Sequence, residues 1–218
     1  MEHKRLIYEM EKDLFDRLVA LAALILVAPL MIIISLIIVL DSPGGPIFPQ
    51  VRVGKEHRRF TIYKFRTMKV KSDDREYKVY VKNLVTAGSH YAVDNHGPVY
   101  KLTNDKRVTR FGGLLRRIDL DELPQLINIL KGDLSLVGPR PDIPQSVELY
   151  KAWHLQRLTV KPGLTGPWQI NGRDRVSFDD MVSMDLDYIR QRNIKLDLKV
   201  LALTLPSIIK RLIKRREV

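Results

Sequence analysis

Positions 18 to 40 hold 23 consecutive residues without a charge, bounded by Arg17 and Asp41. A hydrocarbon core of about 30 Å takes roughly 20 apolar residues as helix, so the run is long enough to cross a bilayer. It is too long for a removable signal peptide, and no small-residue cleavage site follows it. A buried core helix is disfavoured, because the segment is apolar on every face. Pro29 removes a backbone donor at its middle. The pattern therefore predicts a helix that either spans with a kink, or breaks at Ala28-Pro29 and leaves on the side it entered.

The rest of the chain alternates short apolar patterns with turn residues. Asp41-Ser-Pro-Gly-Gly-Pro46 ends the apolar segment. Two β-prone runs, 47–53 and 60–66, read as a hairpin, with Phe60, Ile62, Lys64 and Arg66 on one face of the second. Helices are expected at about 73–84 and at 108–117, the latter with Arg110, Arg116 and Arg117 exposed. Between them lies a polar loop whose His90, Asp94 and His96 match no common metal-ligand spacing. Asp119 and Glu122 stand at capping-box spacing, which predicts a helix start at Asp119. A loop is expected at 132–141, a helix at 144–158 and a Gly/Pro-rich loop at 161–173. An amphipathic helix at 177–193 carries Met181, Met184, Leu186 and Ile189. The last segment, 196–213, is apolar with interspersed cations. It suits either a helix lying in the headgroup plane or one packed on the domain.

Charge narrows the partners. The 218 residues include 37 Lys+Arg against 25 Asp+Glu, a formal net charge of +12, which favours anionic partners. Residues 42–71 hold eight Lys/Arg and one acid, whereas residues 1–17 hold four Lys/Arg and five acids. The positive-inside rule thus places everything after residue 41 in the cytoplasm, and leaves the side of the N-terminus open. No cysteine is present, which removes disulfides, Cys-ligated zinc and thiol catalysis. Walker A, Gly-x-Gly-x-x-Gly, Gly-x-Ser-x-Gly and HExxH motifs are missing, so P-loop, dinucleotide, serine-hydrolase and zincin chemistry are disfavoured.

Asp119, Asp121 and Glu122 concentrate three carboxylates at a predicted helix start. Ionised carboxylates in a cation-rich setting hold Mg²⁺ or attack phosphorus. Capping accounts for Asp119 and Glu122 equally well, and leaves Asp121 without a role. Gly138-Pro-Arg-Pro141 fixes one guanidinium between prolines, suited to phosphate or to a rigid turn. Pro162-Gly-Leu-Thr-Gly166 and Asn171-Gly-Arg173 read as tight loops that either cradle a nucleotide or simply turn the chain.

Taken in order, these blocks resemble the bacterial sugar transferases, the small monotopic polyprenyl-phosphate phosphoglycosyl transferases. The likeness rests on Ile62-Tyr-Lys-Phe-Arg-Thr-Met68, Leu120-Asp-Glu-Leu-Pro-Gln-Leu126 and Leu130-Lys-Gly-Asp-Leu-Ser-Leu-Val-Gly-Pro-Arg-Pro141. It continues through Lys161-Pro-Gly-Leu-Thr-Gly166, Asn171-Gly-Arg173 and the N-terminal Lys12-Asp-Leu-Phe-Asp16, and covers nearly everything except about 71–106. The resemblance implies a re-entrant anchor, residues 1–41, and a catalytic domain, residues 42–218, on the cytoplasmic face of the inner membrane. It implies transfer of a sugar-1-phosphate from a UDP-sugar to a polyprenyl phosphate with UMP released, at the start of lipid-linked glycan assembly. It also implies Mg²⁺ at Asp121 and Glu122, with Asp121 as covalent nucleophile and Glu122 as its dyad partner. Lys64, Arg66, Arg116 and Arg140 then become phosphate ligands by motif position, and Arg173 joins them as a candidate. Two positions depart from the family pattern: Ala28 stands where serine often precedes the membrane proline, and Asp119 where Ser or Thr often precedes the dyad.

Two rival readings stand beside this one. Asp119-Leu-Asp121 resembles an Asp-x-Asp glycosyltransferase motif, although Asp185-Leu-Asp187 shows how cheaply that triplet arises. A membrane-tethered nucleic-acid module suits the charge but has no recognition motif. The expected fold is α+β and mainly helical: a proline-broken membrane helix, a β-hairpin and amphipathic interfacial helices. The expected partners are the UDP-sugar, the polyprenyl phosphate, the bilayer and, as an open alternative, a second copy of the chain; nucleic acid is not expected.

Overall fold

A single 40-residue helix, α1 (Glu2–Asp41), opens the protein, in a computed structural model that describes residues 2–70, 75–87, 105–171 and 176–214. The helix runs through Pro29 without interruption, so of the two expected forms the break at Ala28-Pro29 is not formed. A mid-helix proline costs about 3 kcal/mol. Packing on both sides of it opposes that cost. Ala20, Leu24 and Val27 lie against the main core, and Met31, Ile34 and Ile38 against a second cluster with Phe65 and Leu115. These positions recur every three or four residues, so one helical stripe docks on one body before and after the proline. The opposite face is apolar and exposed, with Leu26 at 81% and Leu40 at 86%. Only 11% of the most apolar stretch is inside the protein, so α1 is not a core helix. Among the described residues it is the one helix long and apolar enough to cross a membrane.

The expected hairpin follows: β1 (Ile47–Val53) pairs antiparallel with β2 (Arg59–Phe65), from Ile47↔Phe65 to Val53↔Arg59. Ile62 enters the main core, while Phe65 enters the cluster under α1. Helix α2 (Arg75–Ala87) turns Tyr80, Val81, Leu84 and Val85 inward. The loop with His90, Asp94 and His96 lies outside the described residues. In α3 (Arg110–Arg117), the Thr109 side chain accepts from the Gly112 N–H and so caps the first turn. Arg110 and Arg117 are exposed as expected, but Arg116 is half-buried.

The capping box is not formed. Asp119 is left-handed at φ 57° and its side chain makes no cap bond, whereas a true N-cap has extended backbone. Leu120–Glu122 make a 3-10 turn instead, and α4 (Gln125–Lys131) begins only after Pro124. Gly132 closes α4 at φ 84°, a conformation that favours glycine.

Two expected loops contain strands. β3 (Ser135–Val137) and β4 (Gly163–Thr165) form a parallel pair, Ser135↔Gly163 and Val137↔Thr165. Glycine permits it: a Cβ on Gly163 would stand 2.1 Å from the Gly138 nitrogen, and one on Gly166 would stand 2.6 Å from the Gly138 oxygen. The helix expected at 144–158 is also corrected. It divides into the four-residue α5 (Pro144–Val147) and a 3-10 stretch, His154–Thr159. The break lets Tyr150 and Arg157 turn into a buried network. Helix α6 (Pro167–Ile170) carries buried Trp168 and Gln169. α7 (Phe178–Gln191), capped by Ser177, buries Met181, Leu186 and Ile189.

The last helix, α8 (Ile194–Lys214), combines both expected behaviours. Asp197 and Val200 are buried, whereas Leu198, Leu203, Leu205 and Ile209 are exposed. Asp197 ties three helices together: it accepts from Lys12 Nζ at 2.8 Å, Tyr8 Oη at 2.9 Å and Tyr188 Oη at 2.6 Å. Beside it, Ser135 Oγ donates to Asp16 at 2.5 Å, and burial pushes the Asp16 carboxyl up. The Lys12–Asp16 segment therefore serves to dock α1 on β3 and α8.

Candidate active site

The site is assembled from three segments that meet at Glu122. On β2, the Tyr63 N–H donates to Asn128 Oδ1 at 3.0 Å, and Asn128 Nδ2 donates to the Thr61 carbonyl at 2.7 Å. This fully buried amide clamps α4 against the strand and fixes the height of the preceding turn. Lys64 Nζ then reaches Glu122 Oε1 at 3.0 Å. Arg140 grips the same carboxylate in a two-pronged pair: Nη1 donates to Oε2 at 3.2 Å and Nη2 to Oε1. Glu122 is itself 8% exposed, so these charges meet largely out of water.

The Arg140 segment is held from behind. Arg157 donates from Nη2 to the Arg140 carbonyl at 3.1 Å, from Nη1 to Asp142 at 2.9 Å, and from Nε to Asp185 at 2.8 Å. Tyr150 donates its hydroxyl to Asp142 and accepts from Arg157 at 2.8 Å. Arg52 Nη1 donates to the Pro141 carbonyl at 3.0 Å. These bonds all converge on the loop that carries Arg140 or on its acidic neighbours.

These groups enclose a cavity of about 140 Å³ lined by Arg52, Lys64, Arg116, Asp121, Glu122 and Arg140, together with Asp105 and Asp142. Four cations face four carboxylates there. Net charge alone therefore does not draw in a diphosphate; an added divalent cation or a rearranged pairing is needed. Burial pulls the Lys64 ammonium down from its ordinary range, against the opposing pull of Glu122. Burial likewise pushes Asp185 up to about 6, in spite of Arg157.

A raised folded-state pKa favours folding at low pH, and the benefit is lost as pH rises through about 6. Asp185→Asn removes this dependence. The unfolding free energy of the variant, minus that of the wild type, should rise by up to about 3 kcal/mol between about pH 3.5 and about pH 7. Denaturant titration at the two pH values measures it, and a flat difference would contradict the assignment.

Of the residues selected by sequence, Asp121, Glu122, Lys64, Arg116 and Arg140 line one cavity. Arg66 does not. Its guanidinium donates to the carbonyls of Ser42, Pro43, Gly44 and Gly45 and to the Ser42 hydroxyl, at 2.7 to 3.0 Å, and closes the end of α1. An arginine has five N–H donors, and these contacts occupy them. Arg173 lies outside the described residues. Asn128, Arg157 and Asp142 were not selected, because a lone polar residue in an apolar segment has no spacing signature. In the Pro162–Gly166 block, Gly163 and Gly166 pack against the backbone of Gly138 and close the β3–β4 crossing, which fits the tight-turn alternative, while Gly172 lies outside the described residues.

A family model described as bacterial sugar transferase matches residues 7–211. The chain belongs to the bacterial sugar transferase family. Among its relatives, the exopolysaccharide production protein ExoY of Rhizobium meliloti is 37% identical over 199 residues, covering 91% of this chain and 85% of ExoY. The undecaprenyl-phosphate galactose phosphotransferase of Salmonella typhimurium is 38% identical over 92% of this chain but 40% of its own length. The galactosyl transferase CpsE of Streptococcus agalactiae is 40% identical over 82% of this chain and 38% of its own. The chain thus spans most of ExoY and about two fifths of the other two.

For this bacterial sugar transferase the metal question rests on donor chemistry. Among the described residues, no three His, Asp or Glu side chains come together as a ready cage. Asp121 and Glu122 are two hard oxygen donors on one cavity. That set fits Mg²⁺, which binds through one or two carboxylates and completes its shell with water and substrate phosphates.

Proposed function

We propose that this protein moves a sugar-1-phosphate from a UDP-sugar to a polyprenyl phosphate and releases UMP, with Asp121 as nucleophile. The observation that carries the reading is the convergence of Asp121 and Glu122 with Lys64, Arg116 and Arg140 on one cavity. It occurs in a chain whose relatives include a protein named undecaprenyl-phosphate galactose phosphotransferase and one named UDP-glucose:undecaprenyl-phosphate glucose-1-phosphate transferase.

An Asp121 carboxylate oxygen attacks the phosphorus that bears the sugar. The bond from that phosphorus to the bridging oxygen breaks, and UMP departs. A phosphate oxygen of the lipid acceptor then attacks the same phosphorus, forms the new diphosphate and returns the Asp121 carboxylate. Glu122 holds Lys64 and Arg140 in place before substrate arrives. The two cations then face the equatorial phosphate oxygens, where charge is greatest during transfer. Asp121, together with Glu122 once the phosphates draw Lys64 and Arg140 from it, would hold Mg²⁺, which would supply neutralisation of the diphosphate. The Arg157 network keeps Arg140 at one height, so its fork meets phosphate without reorganising.

On this reading the catalytic portion faces the cytoplasm on the inner membrane, where both substrates meet. The exposed apolar face of α1 lies in lipid. Its continuity through Pro29 suits a kinked span, whereas a path that returns needs a sharp bend at Pro29, and cysteine labelling near residues 5 and 215 in sealed cells separates the two.

The deciding experiment identifies the nucleotide released from a panel of UDP-sugars by purified protein with Mg²⁺ and polyprenyl phosphate. UMP that depends on the lipid phosphate is the expected result. UDP would overturn the reading in favour of direct glycosyl transfer at Asp119-Leu-Asp121.

A further inference from the structure

Glu122 borders a second hollow of opposite character. Sharing Glu122 with the charged cavity, a groove of about 300 Å³ runs between α8 and the β3–β4 pair. Its walls are Leu126, Leu136, Leu164, Leu201 and Leu205, and Leu123 forms the part nearest the catalytic turn. Asp119 and Glu122 stand at one end. Elsewhere the lining is aliphatic apart from Gln169 and the hydroxyls of Thr165, Thr204 and Ser207. The Thr165 and Thr204 hydroxyls lie 3.1 Å apart and tie the helix wall to the strand wall.

We infer that this groove seats the first isoprene units of the acceptor and brings its phosphate past Glu122 to the phosphorus held on Asp121, at the position the nucleotide has left. The inference rests on the phosphoglycosyl-transfer reading. Three observations converge on that occupant. First, the two hollows share Glu122, so an apolar ligand in one and an anionic ligand in the other meet at the same carboxylate. Second, the charge suits an amphiphile with an anionic head: the groove itself has no cation among its lining residues, while Lys64 and Arg140 stand immediately across Glu122. Third, the groove is continuous with the lipid-exposed surface. Leu123 also packs on the cluster that holds Ile34 and Ile38 of α1, and the rim residue Leu205 is 64% exposed beside Ile209 at 48%. A chain entering from the bilayer between α1 and α8 reaches the dyad without crossing water.

Such an arrangement answers a physical difficulty of the reaction. A transferase that joins a water-soluble diphosphate to a lipid phosphate must bring two anions to one phosphorus while their remaining parts demand opposite solvents. Two hollows of different lining that share the Glu122 carboxylate separate the two demands.

The test uses the full-length protein in detergent with a polyisoprenyl phosphate that carries a diazirine on its second isoprene unit. After irradiation, digestion and mass spectrometry, adducts are expected on residues 201–208 and on the peptides bearing Leu123 and Leu164. Unlabelled polyprenyl phosphate should remove them, and Leu205→Trp, which closes the exposed rim, should lower them about ten-fold. Adducts confined to α1, or labelling displaced equally by the same excess of phosphatidylglycerol, would overturn the proposal. Nucleotide release is read on the same preparation. UMP release with adducts elsewhere sinks the groove alone; groove adducts without UMP from any UDP-sugar sink the transfer reading and leave the lipid site standing.

Discussion

Asp121→Asn abolishes turnover, by at least about a thousand-fold, while the protein stays folded. The amide has the shape of the carboxylate and sits on a half-exposed 3-10 turn, so little packing changes. What is lost is the anionic oxygen that would attack phosphorus. Glu122 does not substitute for it: Lys64 and Arg140 hold that carboxylate on both oxygens, in a nearly buried setting. The measurement is UMP release by the purified variant, with thermal unfolding as the control for fold and mass spectrometry to exclude deamidation back to aspartate. Near-normal turnover by the intact Asp121→Asn variant would remove Asp121 from the nucleophile's role. A loss matched by a large fall in melting temperature would instead point to structure.

Gly163→Ala is expected to be among the most destabilising single-methyl additions in the chain. The new Cβ would lie 2.1 Å from the Gly138 nitrogen and 2.6 Å from the Thr165 oxygen, both backbone atoms that rotamer change does not move. Relief requires the β3–β4 pair to separate, which breaks the Gly138 N–H to Thr165 carbonyl bond of 2.9 Å and shifts the Arg140 loop. Overpacking of this kind costs roughly 3 kcal/mol or more, equivalent to about 6–12 °C in melting temperature for a chain of this size. A phosphate-cradle role for the glycine predicts something else: normal melting with weakened UDP-sugar binding. Differential scanning fluorimetry and a KM for the donor separate the two outcomes.

Elements with a strong periodic signal were legible from sequence. The hairpin, α7 and α8 appear near their expected limits, because each buries one face whose spacing is written locally; the apolar helix was legible from its uncharged run instead, and begins well before it, at Glu2. Short elements were not. The stretch expected as a helix at 144–158 contains apolar residues at workable spacing, yet Tyr150 and Arg157 gain more from Asp142 and Asp185 than a continuous helix would offer. Asp119 and Glu122 carried the spacing of a cap, but the contest between capping the helix and pairing with Lys64 and Arg140 is settled by residues 58 and 18 positions away. A motif cannot reveal that.

The arginines make the same point. Lys64 and Arg66 alternate onto one face of a strand and look equivalent in sequence. In the fold the strand ends between them, at Phe65. Lys64 reaches the carboxylate, while Arg66 donates to the carbonyls of the turn that follows α1.

By itself the sequence determined that an apolar helix precedes a basic domain, that thiol and Cys-ligated zinc chemistry have no residues to use, and which family the motifs resemble. Those properties are local: they depend on composition, on periodicity and on residue order. Only the tertiary structure decided that α1 stays whole through Pro29, that Gly163 and Gly166 close a strand crossing, and that a leucine-lined groove shares Glu122 with a cavity of paired charges. Each of these outcomes is a competition for packing or for hydrogen-bond partners between residues distant in the chain. Such competitions are resolved only when the segments share space.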